Sequence, residues 1–398
     1  VTTETTPSEA STRPAVLVLA DGNTYRGLAF GAEGNAFGEA VFTTAMTGYQ
    51  ETMTDPSYHK QMVVMTAPQI GNTGWNDEDN ESREDKIWIA GLIIRDLSHT
   101  VSNWRARRSL EEEMISQGLV GIKHVDTRAI VRHLRNYGSI KAGVFTGEDA
   151  LLDTEELVRR VEQQEDMEGA NLSADVSLDT PQILEPTGEV KATVVAYDMG
   201  IKSNTPRNLL ARGMRTVLVP ANYPFEKAME FNPDGVFISN GPGDPATADE
   251  MVGIVQQFLD KDVPIFGICF GNQILGRAFG MNTYKLKFGH RGVNIPVKNH
   301  VQGHIEITAQ NHGFALEGEA GQEFDTAYGP ALVTHTCLND GVVEGVALKS
   351  GRAFSVQYHP EAAAGPNDAN PLFDQFAELV AEDIAAKSTA GSSSNEQN

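Results

Sequence analysis

From Lys191 to Gly280 the chain alternates short apolar runs with helix-like stretches, and this alternation constrains the fold more than any other feature. "ATVVAYD", "RTVLVP", "DGVFISNGPGDP" and "VPIFGIC" begin or run as buried strands, while "NTPRNLLARG", "DEMVGIVQQFLD" and "GNQILGRAFG" carry helical spacing. Strands that are apolar along their whole length belong to a mostly parallel sheet with helices on both faces. Ligands bind such sheets beyond the carboxyl ends of the strands. Three strand ends are therefore the places for chemistry: "SNGPGDP", "GICFG" and "SVQYHPE".

The first half has a different texture. "AVLVLADGNTYRGLAFG" is two apolar runs around Asp21-Gly22, a hairpin dipeptide, and "EAVFTT", "KQMVVMTA" and "IWIAGLIIR" follow as strands. Helical periodicity then appears in "RSLEEEMISQG" and "DTRAIVRHLRNYG", the second with Asp126 to cap its start and Gly138 its end. These signals predict a mixed β/α domain over residues 14–162, a polar linker over 163–190 and the α/β domain over 191–386. The small polar residues of 1–13 and 387–398 have nothing to bury, which predicts disordered tails. The acidic run "NDEDNESREDK" is expected to be a solvated loop, and Met62, Met65 and Trp88 to lie in the core.

Charge narrows the function classes. A net charge of −23 excludes a general nucleic-acid surface, which needs clustered Lys and Arg. Positive charge does gather in "RARRSL" and "TRAIVRHLR"; a solvated helix face is the favoured reading of both, and a docking surface for another protein the sharper alternative. No apolar run approaches the roughly 20 residues of a membrane helix, and the N-terminus lacks a basic-then-apolar signal, so a cytoplasmic protein is expected. The two cysteines, Cys269 and Cys337, lie far apart and suggest no disulfide framework; Cys337, in "ALVTHTCL", is expected to be a small core residue.

Around the other cysteine the pattern is GxCxG: Gly267, Cys269, Gly271. A nucleophile elbow needs a sharp strand-to-helix turn with small neighbours, and the helix N-terminus behind it favours a thiolate and a developing oxyanion. A buried thiol ending a core strand fits the same letters, so this motif alone leaves both readings open. Gly271 and Gly276 have phosphate-loop spacing, but Arg277 and Ala278 replace the lysine and hydroxyl that would hold phosphate and Mg²⁺. In "GPGDPA", Pro242 and Pro245 remove two donors a pyrophosphate would need, so a turn presenting the Gly241 and Gly243 amides to a small ligand fits better. In "FSVQYHPEA", His359 and Glu361 can supply a base and its orienting acceptor, although His-Pro-Glu alone is more often a strand-end turn. His300 and His304 have i, i+4 spacing without a helix to align them, and no metal is expected.

Taken together and in this order, "SNGPGDP", "GICFGNQ" and "HPE" resemble the class I glutamine amidotransferase family with its Cys-His-Glu triad. "TAMTGYQETMTDPSY", "IGNTGWNDED", "DTRAIVRHLR", "KFGHRGVNIPV" and "AQNHGFAL" narrow the resemblance to the small, glutamine-hydrolysing subunits of carbamoyl-phosphate synthetases, over nearly the whole chain between the tails. The resemblance implies Cys269 as nucleophile, His359 as general base and acid, and Glu361 as the residue that orients the histidine. It implies oxyanion donors at the Gly241 and Phe270 amides, and contacts to glutamine from Gly243, Gln273, Asn311, Gly313 and Phe314. At Ala45 relatives often carry a serine that contacts glutamine, and that hydrogen bond is lost here. Phe270 and Asn272 stand where relatives read "GICLGHQ"; Phe270 would act through its backbone.

The resemblance further implies a large synthetase subunit as partner, in a heterodimer or higher oligomer, which makes carbamoyl phosphate from bicarbonate and ATP for arginine and pyrimidine synthesis. ATP and Mg²⁺ would belong to that partner, and this chain would carry no cofactor. The N-terminal half, without a nucleophilic constellation, would be the docking domain. An amidotransferase subunit of another synthase, such as anthranilate synthase, would share the triad but not that long first domain. A non-catalytic regulatory subunit would have no reason to keep Cys269, His359 and Glu361.

Overall fold

The strand-like runs of the first half hydrogen-bond into a closed barrel. In the computed structural model, which describes residues 13–395, the strands are β1 (Pro14–Leu19), β2 (Thr24–Gly31), β3 (Ala36–Thr43), β4 (Gln61–Met65), β5 (Gly91–Ile93), β6 (Val120–Lys123) and β7 (Ile140–Thr146). Four helices accompany them: α1 (Tyr49–Thr54), α2 (Leu110–Ser116), α3 (Thr127–Tyr137) and α4 (Thr154–Glu162). The strand order is β1-β2-β6-β5-β4-β3-β7, and β1 closes the ring by pairing with both β2 and β7. Closure leaves no free sheet edge.

Local chemistry sets these elements as the sequence predicts. The β1–β2 turn holds Asp21-Gly22 with Gly22 at φ 88°. Asp126 Oδ1 accepts from the Ala129 amide at 3.0 Å to start α3, and Gly138, at φ 103°, ends it. Two expectations need correction. Trp88 is half-buried rather than core, with Lys86 Nζ 3.8 Å from its ring centroid, whereas Met62 and Met65 are buried. The acidic run is not merely solvated: Arg105 makes a two-pronged contact with Asp79 at 2.8 and 2.9 Å, and Arg107 and Arg108 approach Asp77.

Residues 54–59, 80–85 and 167 onward form a second unit, the first ending at Asp166. Its strands are β8 (Gln182–Leu184), β9 (Ala192–Asp198), β10 (Met214–Pro220), β11 (Gly235–Ile238), β12 (Ile265–Ile268), β13 (Thr283–Asn299), β14 (Ile305–Leu316), β15 (Glu323–Thr326), β16 (Gly329–Cys337), β17 (Val343–Leu348) and β18 (Ala353–Val356). Its helices are α5 (Ser173–Val176), α6 (Asn204–Ala211), α7 (Phe225–Met229), α8 (Asp249–Asp260), α9 (Phe270–Ala278) and α10 (Pro371–Asn395). All eleven strands join one sheet.

The expectation of a mostly parallel sheet holds only for its centre, β10-β9-β11-β12-β18. β8 and β13 to β17 pair antiparallel, because β13 onward are joined by hairpins and short turns with no crossover helix between them. Residues alternate between the two faces of the central strands, as their period of two requires. Val195, Tyr197, Val217 and Val219 pack with Ile254 and Phe258 of α8 and Ile274 of α9. Val194, Ala196, Leu218, Phe237 and Phe266 pack instead with Leu209 of α6 and Phe373 and Phe376 of α10.

The segment expected to be a free linker is built into the second unit from Met167 onward. Met167 and Leu172 pack on Phe314, β8 pairs with β10, and the Leu178 amide donates to Asp198 at 2.9 Å. The C-terminal tail also differs: α10 continues past residue 387 to Asn395, with the Ser388 and Thr389 hydroxyls turned back onto the carbonyls of Ile384 and Ala385. The expected disorder of residues 1–12 and 396–398 lies outside the described residues. No helix among the described residues is long and apolar enough to cross a membrane.

Candidate active site

Cys269 stands alone between β12 and α9 with φ 56° and ψ −102°. A side chain adopts that positive φ only where its surroundings over-determine it. Here the glycines do so. A β-carbon on Gly267 would lie 2.7 Å from the Gly271 carbonyl oxygen, and one on Gly271 2.2 Å from that of Ile238. A larger residue at Gly267 would push β12 from α9, and one at Gly271 would push α9 from the end of β11, so GxCxG is a steric requirement of the turn. The cysteine amide donates to the Val356 carbonyl at 2.8 Å, tying the elbow to the end of β18.

Three residues beyond that carbonyl comes His359. Its Nδ1 lies 2.7 Å from Glu361 Oε1, and its Nε2 has no hydrogen-bond partner among the described residues. Burial and the Lys202 ammonium oppose protonation of His359, but the Glu361 carboxylate and the Cys269 thiol outweigh them and push the imidazole up to about 10. Burial alone would raise Glu361; the His359 charge holds its carboxyl below the usual range instead. Both side chains are fully enclosed. The result is an imidazole held in one orientation by a carboxylate, with its other nitrogen unengaged.

The remaining expected residues of the second unit lie on α9, on β14 and in the turn after β11. Ile238 pairs with Gly267, so the turn after β11 begins beside the elbow. Gly241 admits no side chain, since a β-carbon would lie 2.2 Å from the Met199 carbonyl oxygen, and Gly243 has φ 98°. Asp244 secures that turn by accepting from the Gly169 amide at 2.8 Å. Phe270, the first residue of α9, has an amide with no intrahelical acceptor, while its side chain enters the core. On β14, the Asn311 carbonyl lies 3.6 Å from Cys269 Sγ, Gly313 follows, and Phe314 is buried against Met167 and Leu172. Gln273 Nε2 donates to the Phe314 carbonyl at 2.8 Å and to Gln357 at 3.1 Å. Ala45 belongs to the first unit, just past β3, where it is buried and its amide donates to Thr43 Oγ1 at 3.3 Å.

Asn272, a departure from the family letters, acquires a place. Its Nδ2 donates to Gln357 at 3.2 Å and its Oδ1 accepts from Ser355 Oγ at 2.9 Å, so it fastens α9 to β18 and to the residue that follows that strand. Cys337 is buried as expected, its thiol pushed up to about 12 by burial. His300 and His304 flank the β13–β14 turn and bond separately, to Thr336 and Glu306. Closer groupings among the described residues involve His290 instead: it bonds Asp340 at 2.8 Å and Glu344 at 3.2 Å, with His312 and Cys337 nearby.

Sequence reasoning missed a buried ion pair. Lys202 Nζ lies 3.2 Å from Asp55 Oδ2, and the same carboxylate oxygen accepts from Asn311 Nδ2 at 3.1 Å. Burial disfavours the lysine charge, but Asp55, then Glu81 and Glu361, outweigh it and raise the ammonium's pKa. Asp55 is held below the usual carboxylate range against its own burial, chiefly by Lys202 and then by His359. The available signal was a fourth strand end, "DMGIK" after β9, which carries a lysine at the same edge of the sheet as the elbow.

Residues 17–144 match the family model described as carbamoyl-phosphate synthase small chain, CPSase domain, and residues 195–379 the model for glutamine amidotransferase class-I. A carbamoyl phosphate synthase small chain from Corynebacterium glutamicum is 70% identical over 380 residues, covering 96% of this chain and 97% of that one. One from Mycobacterium tuberculosis is 61% identical, covering 92% and 98%.

Proposed function

The chain belongs to the family of carbamoyl phosphate synthase small chains, and from that membership we propose that Cys269, His359 and Glu361 are the triad with which it hydrolyses glutamine for that synthase. The observation that carries the assignment is the elbow itself. The one side chain forced to positive φ between β12 and α9 is a cysteine, and the adjacent strand β18 delivers an oriented imidazole to the same edge of the sheet.

His359, whose imidazole the Glu361 carboxylate makes more basic than usual, accepts the proton of the Cys269 thiol as general base. The thiolate attacks the side-chain carbonyl carbon of glutamine, and the Gly241 and Phe270 amides hold the resulting oxyanion. His359 then protonates the leaving nitrogen, because an amide anion is too basic to leave at neutral pH. Ammonia departs and a glutamyl thioester remains. The imidazole, now neutral, takes a proton from water as the water attacks the thioester, and glutamate is released. Losing one oxyanion donor in comparable sites costs roughly 3 to 4 kcal/mol of transition-state stabilisation.

Gly243, Gln273, Asn311, Gly313 and Phe314 form the proposed glutamine-binding set of the second unit. The Asp55–Lys202 pair fixes Asn311 and so the carbonyl that the cysteine thiol faces. Ammonia passes to the large subunit, which supplies the ATP and Mg²⁺ chemistry on bicarbonate. The barrel unit is the docking domain, and the pathways served are those to arginine and pyrimidines in the cytoplasm. The test is to assay the chain alone and with the large subunit for glutamate release and carbamoyl phosphate. Cys269→Ser is expected to abolish glutamine-dependent synthesis and leave ammonia-dependent synthesis intact; undiminished glutamine use by the variant overturns the nucleophile.

A further inference from the structure

We infer that the outer face of α3 is a docking surface for a carboxylate-bearing face of the large subunit, an inference that rests on the functional reading above. Arg128, Arg132 and Arg135 lie at i, i+4 and i+7, on one stripe about 10 Å long. The opposite stripe, Thr127, Ile130 and Leu134, is buried. All three arginines are exposed, and none makes a hydrogen bond or ion pair with another described residue.

The other basic run behaves differently. In "RARRSL", Arg105 pairs with Asp79 and Glu78, while Arg107 and Arg108 pair with Asp77 and Arg108 also with Glu113. Its charge is neutralised within the first unit, whereas the charge of α3 is not. In a chain of net charge −23, three uncompensated arginines in one stripe are not a consequence of composition.

Local physics also works against the arrangement. α3 has no acidic residue in its first turn, and Arg128 stands there, where the helix dipole favours an anion. Arg128 and Arg132 are a like-charge pair at i, i+4, which opposes the helix. Only Arg135, in the last turn, suits the dipole. The Asp126 cap serves the helix terminus, but no carboxylate among the described residues pairs with the three guanidinium groups, and a partner's carboxylates would complete them. Arginine's planar fork suits bidentate contact with carboxylates, so the fitting partner presents Asp and Glu at helical-turn spacing.

The experiment uses the full chain and the large subunit. Arg128, Arg132 and Arg135 are replaced together by Glu, and in a second variant by Gln, with glutamate release by the isolated chain as the check on folding and catalysis. The association rate of the Glu variant should fall ten- to a hundredfold at low salt, the Gln variant should lie between it and the natural chain, and the salt dependence should flatten in both. Unchanged association and salt slope in both variants overturn the surface while leaving the glutaminase reading intact. Failure of the natural chain itself to bind the large subunit overturns that reading and the surface with it. A variant whose only change is in self-association, or in retention on a polyanion such as heparin, also overturns it, by assigning the stripe to a second copy or to a nucleic acid.

Discussion

Gly271 faces the carbonyl of Ile238 so closely that a β-carbon on it would stand 2.2 Å from that oxygen. The contact joins the first turn of α9 to the end of β11, and it fixes how far the Cys269 backbone can relax. Gly271→Ala therefore forces a backbone shift, expected to cost about 1–3 kcal/mol as overpacking does, and to cut glutamine hydrolysis well beyond that loss by moving the elbow. Urea unfolding and glutamate release measured on the same preparation check this. Retention of full activity and stability would show that the turn has slack the distances deny.

The Lys202–Asp55 pair is buried, and breaking such a pair from one side leaves an uncompensated charge. Lys202→Met, which keeps the aliphatic stem, is expected to destabilise the protein by about 3–5 kcal/mol. Adding Asp55→Asn should recover a large part of that, since the carboxylate is then gone and an amide still accepts from Asn311. If the double variant is less stable than the single one by the sum of independent effects, the two side chains are not acting as a pair.

Histidines 290 and 335 should move stability in opposite directions with pH. Burial opposes charging of His290, but Asp340 and Glu344 push it up to about 9. Its contribution is therefore complete below its unfolded value near 6.5 and is lost as pH rises through 9. Burial pulls His335 down to about 4, so its contribution is complete above 6.5 and is lost as pH falls towards 4. The stability difference between the natural chain and His290→Asn should shrink from pH 6.5 to 9. A difference that grows or stays flat across that window contradicts the assignment.

Asn272 bridges Ser355 and Gln357, the strand β18 and its continuation towards His359. Asn272→Ala is expected to cost about 1–2 kcal/mol in stability and to lower kcat more than it raises KM, because it loosens the histidine rather than the substrate. In a double-mutant cycle with Ser355→Ala, the two changes should be less than additive. Strict additivity would mean that the bridge carries no energy.

The elbow was legible because its chemistry is local: two glycines around a cysteine, between a strand and a helix, leave few backbone choices. The β-strands were legible for the same reason, from period and turn residues, but their partners were not. Nothing in "AVLVLA" announces that β1 pairs with β7, and the hairpins after β13 made much of the sheet antiparallel where the first strands suggested otherwise. Lys202 and Asp55 escaped notice because a charged residue beside a turn looks solvated until its partner, distant in sequence, is placed beside it. The "linker" looked polar because its side chains mostly are; it is held by backbone pairing and by Met167 and Leu172, which composition averages away.

The assignment of residues 54–59 and 80–85 to the second unit has a genetic consequence. A fragment beginning at Met167 would reach the folding sheet without Asp55, the counter-charge of Lys202, and without Arg83, which lies 2.7 Å from the enclosed Asp198. Its interior would hold a lysine and an aspartate stripped of their opposites. The gene therefore has no clean breakpoint at 166: the segment that looks like a separable catalytic module is completed by codons lying upstream, within the barrel's reading frame, and a split or fusion there would be inherited as a folding defect.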